Sequence, residues 1–483
     1  MQLSAVQRVL GLLLMIFSLS MLPPALVGWH YGDGEVMPFI QGFFWLFSLG
    51  ALIFWPVRHF KKDLKLRDGF LIVVMFWTVL SLSGAVPFYF SDNPQMSLTD
   101  SVFEAVSGLT TTGATVLTNI DALPHSIKFY RQELQWLGGM GIVVLAVAIL
   151  PLLGIGGMQL FKAETPGPMK DNKLTARIAD TAKTLWFIYV GLTVVATLAF
   201  RLGGMTWFDA VGHAFSTVSI GGFSTHDAGF GFYNSAWLDA MATIFMLVAA
   251  VNFTLHFVAW NQRSLRGYLH DSEFRAFALI ILSMIVLYTL ILWGNQTYDS
   301  LLDALRFASF NVVSYATTTG FATADITLWP VFLPVLLMFL AIIGGSTGST
   351  AGGMKVMRVV LIVKQSLREL KQLIHPQGEL LIKLNGHVVP PRVIQAVWGF
   401  FSAYVVILLL LVLFMQAVGL DEVSSFGAAV ATLTNLGPGL GTVSSTFASA
   451  PDAAKWMGCL AMILGRLEIF TLLVLFTPAF WRR

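Results

Sequence analysis

Four short segments of this chain share a glycine that follows a run of small, hydroxyl-bearing or apolar residues. The first reads DSVFEAVSGLTTTGA, the second DAVGHAFSTVSIGGF, the third FNVVSYATTTGFAT and the fourth, the most altered, FGAAVATLTNLGPGLG. Self-similarity of this kind indicates one structural unit repeated along the chain. The aligned glycines, separated by 109, 98 and 117 residues, are Gly113, Gly222, Gly320 and Gly437.

These residue types suit the coordination of a dehydrated monovalent cation by backbone oxygens. A ring of carbonyl oxygens can replace the hydration shell of potassium. Glycine permits the backbone angles and close approach that such a ring needs, and threonine favours extended backbone while adding a hydroxyl acceptor. One such loop alone would be an ordinary turn, whereas four copies in register predict loops that converge on a pore.

The surrounding sequence predicts membrane-spanning helices that hold these loops. Of the 483 residues, 56% are hydrophobic and 11% are charged. A spanning helix needs about 20 apolar residues, so we predict an all-α polytopic membrane protein. The apolar runs, ten in all, are 5 to 28, 38 to 57, 69 to 90, 134 to 156, 183 to 202, 236 to 260, 275 to 294, 330 to 364, 393 to 418 and 454 to 478.

The segment before the first aligned glycine is apolar but too short to cross a membrane. A helix from Thr99 to Leu109, capped by Thr99 or Asp100, would rise about 16 Å, half of the hydrocarbon thickness. Non-helical backbone at that depth is tolerated only where protein buries it or water lines it. We therefore expect four helix, pore-loop, helix repeats around a central pore, in residues 68–160, 161–262, 263–375 and 376–483, preceded by two additional transmembrane helices in residues 1–67.

The distribution of charge predicts the orientation of the chain. If ten helices alternate, 23 of the 29 lysines and arginines fall on one side and 16 of the 26 acids on the other. Basic loops stay in the cytoplasm, which places both termini there. An acidic outer face would concentrate cations, although the cytoplasmic bias of basic residues alone produces the same asymmetry.

A second glycine-rich stretch, GGSTGSTAGGMK, interrupts the apolar run from 330 to 364. Its five glycines disfavour a helix by about 0.5 to 1 kcal/mol each relative to alanine, and irregular backbone at this depth should line a cavity. It lies below the pore loops, where it could obstruct the path. Arg466, a charge within the last apolar run, could donate to its carbonyls. The predicted gate residues are Gly344, Gly345, Ser346, Thr347, Gly348, Ser349, Thr350, Ala351, Gly352, Gly353 and Arg466.

The fourfold repeat, with TTTGA, SIGGF, TTTGF and TNLGP at the loops, resembles the Trk/Ktr/HKT superfamily of potassium-translocating subunits. The two additional N-terminal helices, the stretch GGSTGSTAGGMK and the ending GRLEIFTLLVLFTPAFW are similar to TrkH-type subunits in particular. The resemblance implies an intramembrane gate and potassium contacts from the carbonyls of the two residues before each aligned glycine. Those residues are Thr111, Thr112, Ile220, Gly221, Thr318, Thr319, Asn435 and Leu436.

The resemblance also implies the setting in which the protein works. It implies potassium uptake across the bacterial inner membrane by a homodimer regulated by a cytoplasmic, nucleotide-binding TrkA-type ring. The transported ion is K⁺, and nothing in the sequence suggests an organic cofactor or a nucleic-acid partner. A sodium-coupled or proton-coupled potassium symporter on the same architecture remains the alternative, because the residues do not distinguish it from a channel.

One motif and two single residues could indicate other chemistry, and each does so only weakly. GGSTG, from Gly344 to Gly348, matches the G-x-S-x-G nucleophile motif, so an intramembrane serine protease using Ser346 and His256 is a remote alternative to a non-enzymatic transporter. His213, in the second pore-loop segment, is expected to be a packed or water-facing polar group. Cys459, the single cysteine, excludes an intrachain disulfide.

Overall fold

The structure, a computed structural model, describes residues 2–60, 66–148, 178–378 and 380–482. Within these ranges the regular structure is helical except for one antiparallel hairpin of two short strands, Lys383–Leu384 and His387–Val388. The all-α prediction is confirmed. The end of the helix predicted over 134 to 156 and the predicted boundary between residues 160 and 161 lie outside the described residues.

The N-terminal helices pack closely on one another. Leu3–Ser18 continues through a 3₁₀ turn, Leu19–Met21, into Leu22–Tyr31, and it packs against Val36–Phe54, which ends in the 3₁₀ turn Trp55–Val57. A β-carbon at Gly11 would lie 2.8 Å from the carbonyl oxygen of Gly50. These glycines therefore allow the two backbones to touch, as small residues do between membrane helices.

Four units of similar build follow. Each contains a long leading helix, a short pore helix, a glycine loop that carries the aligned glycine, and a trailing helix. The leading helices are Leu66–Phe90, Ile178–Leu202, Ser272–Gly294 and Pro391–Ala417. The pore helices are Leu98–Leu109, Trp207–Val218, Leu301–Ala316 and Glu422–Leu433. The trailing helices are His125–Ala148, Ala236–Ala250 with Phe253–Gln262, Phe332–Ile343 with Val356–Ile374, and Asp452–Arg466 with Phe470–Leu473.

Shorter elements complete the chain. A 3₁₀ turn follows each glycine loop, at Ile120–Ala122, Gly229–Tyr233, Ile326–Leu328 and Gly441–Val443. Arg266–His270 precedes the third leading helix, and the 3₁₀ turn Val474–Phe476 and the helix Pro478–Trp481 end the chain.

Each pore helix begins with the same cap. The side chains of Ser97, Thr206, Ser300 and Asp421 accept a hydrogen bond from the backbone N–H three residues later, which is the usual way to satisfy a free N–H at a helix start. The expectation that Thr99 or Asp100 caps the first pore helix is wrong. Asp100 instead donates its N–H to Ser97 Oγ at 3.1 Å.

All four trailing helices are interrupted, whereas the sequence predicted an interruption only in the third. The first contains Gly141 at φ 48°, the second bends by 93° after Ala250 and the fourth by 103° after Arg466. In the third, residues 344–355 form a loop that we call the inner loop. Accordingly, six described helices are long and apolar enough to span a membrane, or eight if each bent pair is one span.

Two large hydrophobic clusters surround the glycine loops. One joins the N-terminal helices to the first and fourth units, and the other joins the second and third units. A small third cluster lies around the hairpin and includes Leu361, Ile382, Leu384 and Ile394.

Candidate ion pathway

Each pore helix ends four residues before its aligned glycine in the same backbone turn. The second residue before each glycine is left-handed, with φ between 56° and 64°, and the next N–H donates to the carbonyl five residues earlier at 2.7 to 2.9 Å. This is the Schellman cap, but with side-chain-bearing residues where glycine is usual. The left-handed residues are Thr111, Ile220, Thr318 and Asn435. The altered fourth loop therefore has the same geometry as the others.

The four glycines close a ring. A β-carbon at Gly113 would lie 2.1 Å from the carbonyl oxygen of Gly221, one residue before the next aligned glycine. The same relation links each loop to its successor, and the fourth loop to the first. The other pairs are Gly222 with Thr319 at 2.0 Å, Gly320 with Leu436 at 2.1 Å and Gly437 with Thr112 at 2.6 Å.

The residues that form this ring are buried, and their carbonyl oxygens are almost entirely without donors. All eight residues predicted to supply carbonyls are buried. Within the described residues only one of their carbonyls, that of Gly221, accepts a hydrogen bond, from Gln135 Nε2 at 2.6 Å. The pore helices also direct their carbonyl ends, which carry partial negative charge, towards the ring. The arrangement therefore offers a cation oxygen ligands that the protein does not otherwise use.

In three of the four pore helices, the residue nine positions before the aligned glycine tethers the segment beyond that glycine. This position is occupied by a polar residue in three units and by Ala428 in the fourth. His213, expected as a packed polar group, is one of these tethers and is fully buried. The bonded pairs are Glu104 with Thr115 at 3.0 Å, His213 with Ser224 at 2.9 Å and Asn311 with Thr323 at 3.0 Å.

The first trailing helix braces the first two loops from outside the ring. Arg131 forms a buried ion pair with Glu104, with 2.7 Å between Nε and Oε1, and donates from Nη1 to the Ser224 carbonyl at 3.2 Å. Gln135, one turn further along the same helix, donates its hydrogen bond to the Gly221 carbonyl. The signal for these residues was present in the sequence as polar side chains in an apolar helix, but their partners could not be assigned without the fold.

The inner loop lies directly against the glycine loops. The Gly352 N–H donates to Thr318 Oγ1 at 2.7 Å, and the Gly353 N–H donates to the Thr434 carbonyl at 3.1 Å. Thr350 reaches the end of the second pore helix, with 3.2 Å from its Oγ1 to the Val218 carbonyl oxygen. The loop thus touches the second, third and fourth units at once.

Arg466 joins the inner loop to the first unit. Its Nη1 donates to the Thr350 carbonyl at 3.1 Å, and its Nη2 donates to the Gly138 carbonyl at 2.7 Å, close to the break in the first trailing helix. Its guanidinium also lies 5.1 Å from the centre of the Trp77 ring. Glu468 forms its ion pair with Arg358.

A helical membrane protein in which four half-length helices hold a closed ring of backbone oxygens is a cation-transport protein. The TrkH family model, described as a cation transport protein, matches residues 35–483. The chain belongs to the TrkH family, which confirms the resemblance drawn from the loop motifs.

Relatives match the chain from end to end. The Trk system potassium uptake protein TrkH of Salmonella typhimurium is 54% identical over 482 residues, covering 100% of both chains. The Trk system potassium uptake protein TrkG of Escherichia coli is 40% identical, covering 99% of this chain and 98% of its own. The crystal structure of the potassium transporter TrkH from Vibrio parahaemolyticus matches with a TM-score of 0.91 and 51% identity, covering 100% of both chains.

The serine protease alternative is wrong, because the family consists of transport proteins rather than enzymes. The geometry agrees. Ser346 Oγ is buried and has no hydrogen-bond partner among the described residues. The ring nitrogens of His256 are engaged elsewhere, with the Tyr268 hydroxyl at 2.7 Å and the Val248 carbonyl at 2.9 Å.

Beyond the ring, an ionic contact joins the loops of the first two units. His226 Nδ1 pairs with Asp121, and its Nε2 lies 3.5 Å from Asp209 Oδ1. The His226 ring stacks on Phe232 with 3.6 Å between centroids. Burial lowers the pKa of His226, but hydrogen bonding and the charges of the two carboxylates raise it by more, so the net pKa lies above 6.5.

We expect Gly113→Ser to weaken discrimination between potassium and sodium, because its β-carbon would collide with the Gly221 carbonyl. The same holds for Gly222→Ser, Gly320→Ser and Gly437→Ser. The matched control is Gly204→Ser, since Gly204 also has positive φ, at 102°, but no atom within 4 Å. Permeability ratios measured in reconstituted vesicles test this, and unchanged ratios in all four ring variants would contradict the carbonyl-ring interpretation.

We expect the ionic contact at His226 to stabilise the fold at low rather than high pH. A raised folded-state pKa contributes stability that is fully present below the unfolded value, near 6.5, and is lost as the pH rises through the folded value. The difference in melting temperature between the wild type and His226→Asn should therefore shrink with increasing pH. A difference that stays constant across this range would show that His226 acts only through packing.

Proposed function

We propose that this protein takes up potassium through the ring formed by the four glycine loops. The observation that carries the proposal is that eight buried residues surround the ring and only one of their carbonyls, that of Gly221, accepts a hydrogen bond within the described residues. A buried acceptor without a partner costs about 1 to 3 kcal/mol, and a dehydrated cation satisfies several of them together. The relatives named as potassium uptake proteins support potassium as that cation.

The proposed ion path is channel-like. The tethers at Glu104, His213 and Asn311 hold the loops from behind, so the ring is organised before an ion arrives. Ligands fixed in this way can favour one ion size over another without a conformational step for each ion. Coupled symport with sodium or protons is the alternative for the same ring, and ion-flux measurements distinguish the two.

The inner loop is the proposed gate. Its backbone donates to Thr318, which is one of the ring residues, and to Thr434, in the turn immediately before the ring. Arg466 fastens the loop at Thr350. A loop that lies against the ring in this manner would obstruct ions leaving it. Because the loop consists largely of glycine, serine and threonine, it can be displaced without exposing large apolar side chains.

We also propose the cellular setting. Exposed apolar side chains on the leading helices, such as Phe187 and Leu198, suit contact with lipid. The basic side of the chain, which would carry both termini, suits the cytoplasmic face of a bacterial inner membrane. A cytoplasmic nucleotide-binding ring of the TrkA type and a second copy of this chain, giving a homodimer, are the proposed partners. The relatives are named as proteins of a Trk system.

Flux into vesicles containing the purified protein tests the transport proposal. We expect potassium and rubidium to enter and sodium and lithium to be excluded, because larger monovalent ions fit an oxygen ring held open by its tethers. The flux should follow the potassium gradient alone. A requirement for a sodium or proton gradient would instead establish the symporter, and equal entry of all four ions would refute the selective ring.

Shortening the inner loop should raise potassium flux in the absence of any cytoplasmic partner, since the remaining chain would no longer reach the ring. Arg466→Ala should also favour opening, by roughly tenfold or more, because a hydrogen bond to a charged group is worth about 1.5 to 3 kcal/mol. Both variants should retain potassium selectivity. The control is Arg392→Ala, an exposed arginine on the fourth leading helix. Reduced flux through folded, shortened protein would mean that the loop is a permeation element rather than a gate.

A further inference from the structure

The cytoplasmic hairpin contacts the start of the third leading helix through a single residue at its tip. Asn385 and Gly386 form the turn, with φ of 47° and 81°, which is the backbone that an Asn-Gly hairpin turn requires. Asn385 Oδ1 accepts from the Ser272 N–H at 2.7 Å, and its Nδ2 donates to Asp271 Oδ2 at 3.1 Å. Asp271 is itself the N-cap of that helix, accepting from the Phe274 N–H at 2.7 Å.

Glu273, in the first turn of this helix, accepts hydrogen bonds from the backbone on both sides of the inner loop. Its Oε1 accepts from the Thr347 N–H at 2.7 Å and from the Met357 N–H at 3.0 Å. Thr347 lies in the first half of the loop, and Met357 lies in the first turn of the helix that follows it. One carboxylate oxygen therefore fastens both sides of the loop.

The inner loop also supplies a hydrogen bond that the buried Glu273 side chain requires. Its side chain is buried, with 2% of the residue exposed, and it belongs to none of the salt bridges among the described residues. A buried carboxylate needs donors to compensate its lost hydration, and here the backbone of the loop and of the adjoining helix supplies them. Moving the loop away would take the Thr347 donor from the carboxylate, and that loss resists the movement.

The hairpin is also attached to the other side of the loop. Leu384 packs with Leu361 of the helix that follows the loop, and Lys364 Nζ donates to the Lys383 carbonyl at 2.7 Å. The strands of the hairpin therefore contact the helix that follows the inner loop, and Asn385 at its tip contacts the third leading helix. One of these helices carries Glu273 and the other continues directly from the inner loop, so the hairpin contacts both elements that flank this part of the loop.

We propose that Asn385 and Glu273 form a latch through which the cytoplasmic hairpin holds the inner loop in its blocking position. Glu273 is a positioning residue that contacts the loop and not the ion. Asn385 is the point at which a force applied from the cytoplasm would reach it. The latch rests on the proposed gating function for its effect on flux, but its effect on the position of the loop does not depend on that function.

Site-specific labelling of the full-length protein tests the position of the loop directly. Cys459 is the single cysteine, so a Cys459→Ala background carrying Ser349→Cys places one thiol in the loop. We expect Glu273→Ala and Asn385→Ala each to increase the rate of thiol labelling and the potassium flux by about tenfold, the equivalent of one charge-assisted hydrogen bond. Glu273→Gln keeps an acceptor oxygen and should largely restore both rates.

The controls are Glu369→Gln, an exposed carboxylate on the helix after the loop, and His387→Ala, on the same hairpin; both should leave labelling and flux unchanged. Asn385 is exposed, so its variant reports on the latch even if Glu273→Ala fails to fold. Unchanged labelling in Asn385→Ala and in folded Glu273→Ala would overturn the latch. Faster labelling with unchanged flux would support the latch and overturn the gate.

Discussion

The contact between each aligned glycine and the carbonyl of the next loop is the constraint on which the rest of the molecule depends. There is no room for a β-carbon at any of the four contacts, and each loop approaches its neighbour through a turn that places a side-chain-bearing residue in the left-handed region. Such turns persist only when their surroundings fix them. The Schellman bonds, the polar tethers and the braces from Arg131 and Gln135 supply that support.

The inner half of the structure depends on a different property, the interruption of every trailing helix. Interrupted helices expose backbone groups that must find partners inside the membrane. Here the partners are one another: the Ser346 N–H donates to the Ala250 carbonyl, the Gly348 carbonyl accepts from the Phe253 N–H, and Arg466 caps Gly138. The breaks of the second and third units are thus bonded to each other, and Arg466 at the fourth break reaches both the first unit and the inner loop.

The sequence allowed the repeat, the positions of the four glycines and the all-α fold to be predicted, because glycine and hydroxyl residues recur in register between long apolar runs. It did not reveal the breaks at Gly141, at Val251 or after Arg466. The three glycines around Gly141 lie in an otherwise apolar run, no glycine marks the second break, and only Gly465 precedes the fourth. The tethers could have been found by aligning the pore helices, where Glu104, His213 and Asn311 occupy one column. Glu273 could not, because its partners are backbone groups distant in sequence.

In the fourth unit the tether position holds Ala428, which shows that the four quarters of the ring can differ in sequence. A pore assembled from four identical subunits changes all of its walls whenever one codon changes. Where one gene encodes all four units, a substitution changes only one quarter of the ring. The quarter without a tether is held by other contacts, such as the hydrogen bond from Asn435 Nδ2 to the Thr112 hydroxyl at 2.9 Å. The ion preference proposed for this ring can therefore be adjusted in small steps, with three quarters of the ring preserved at each step.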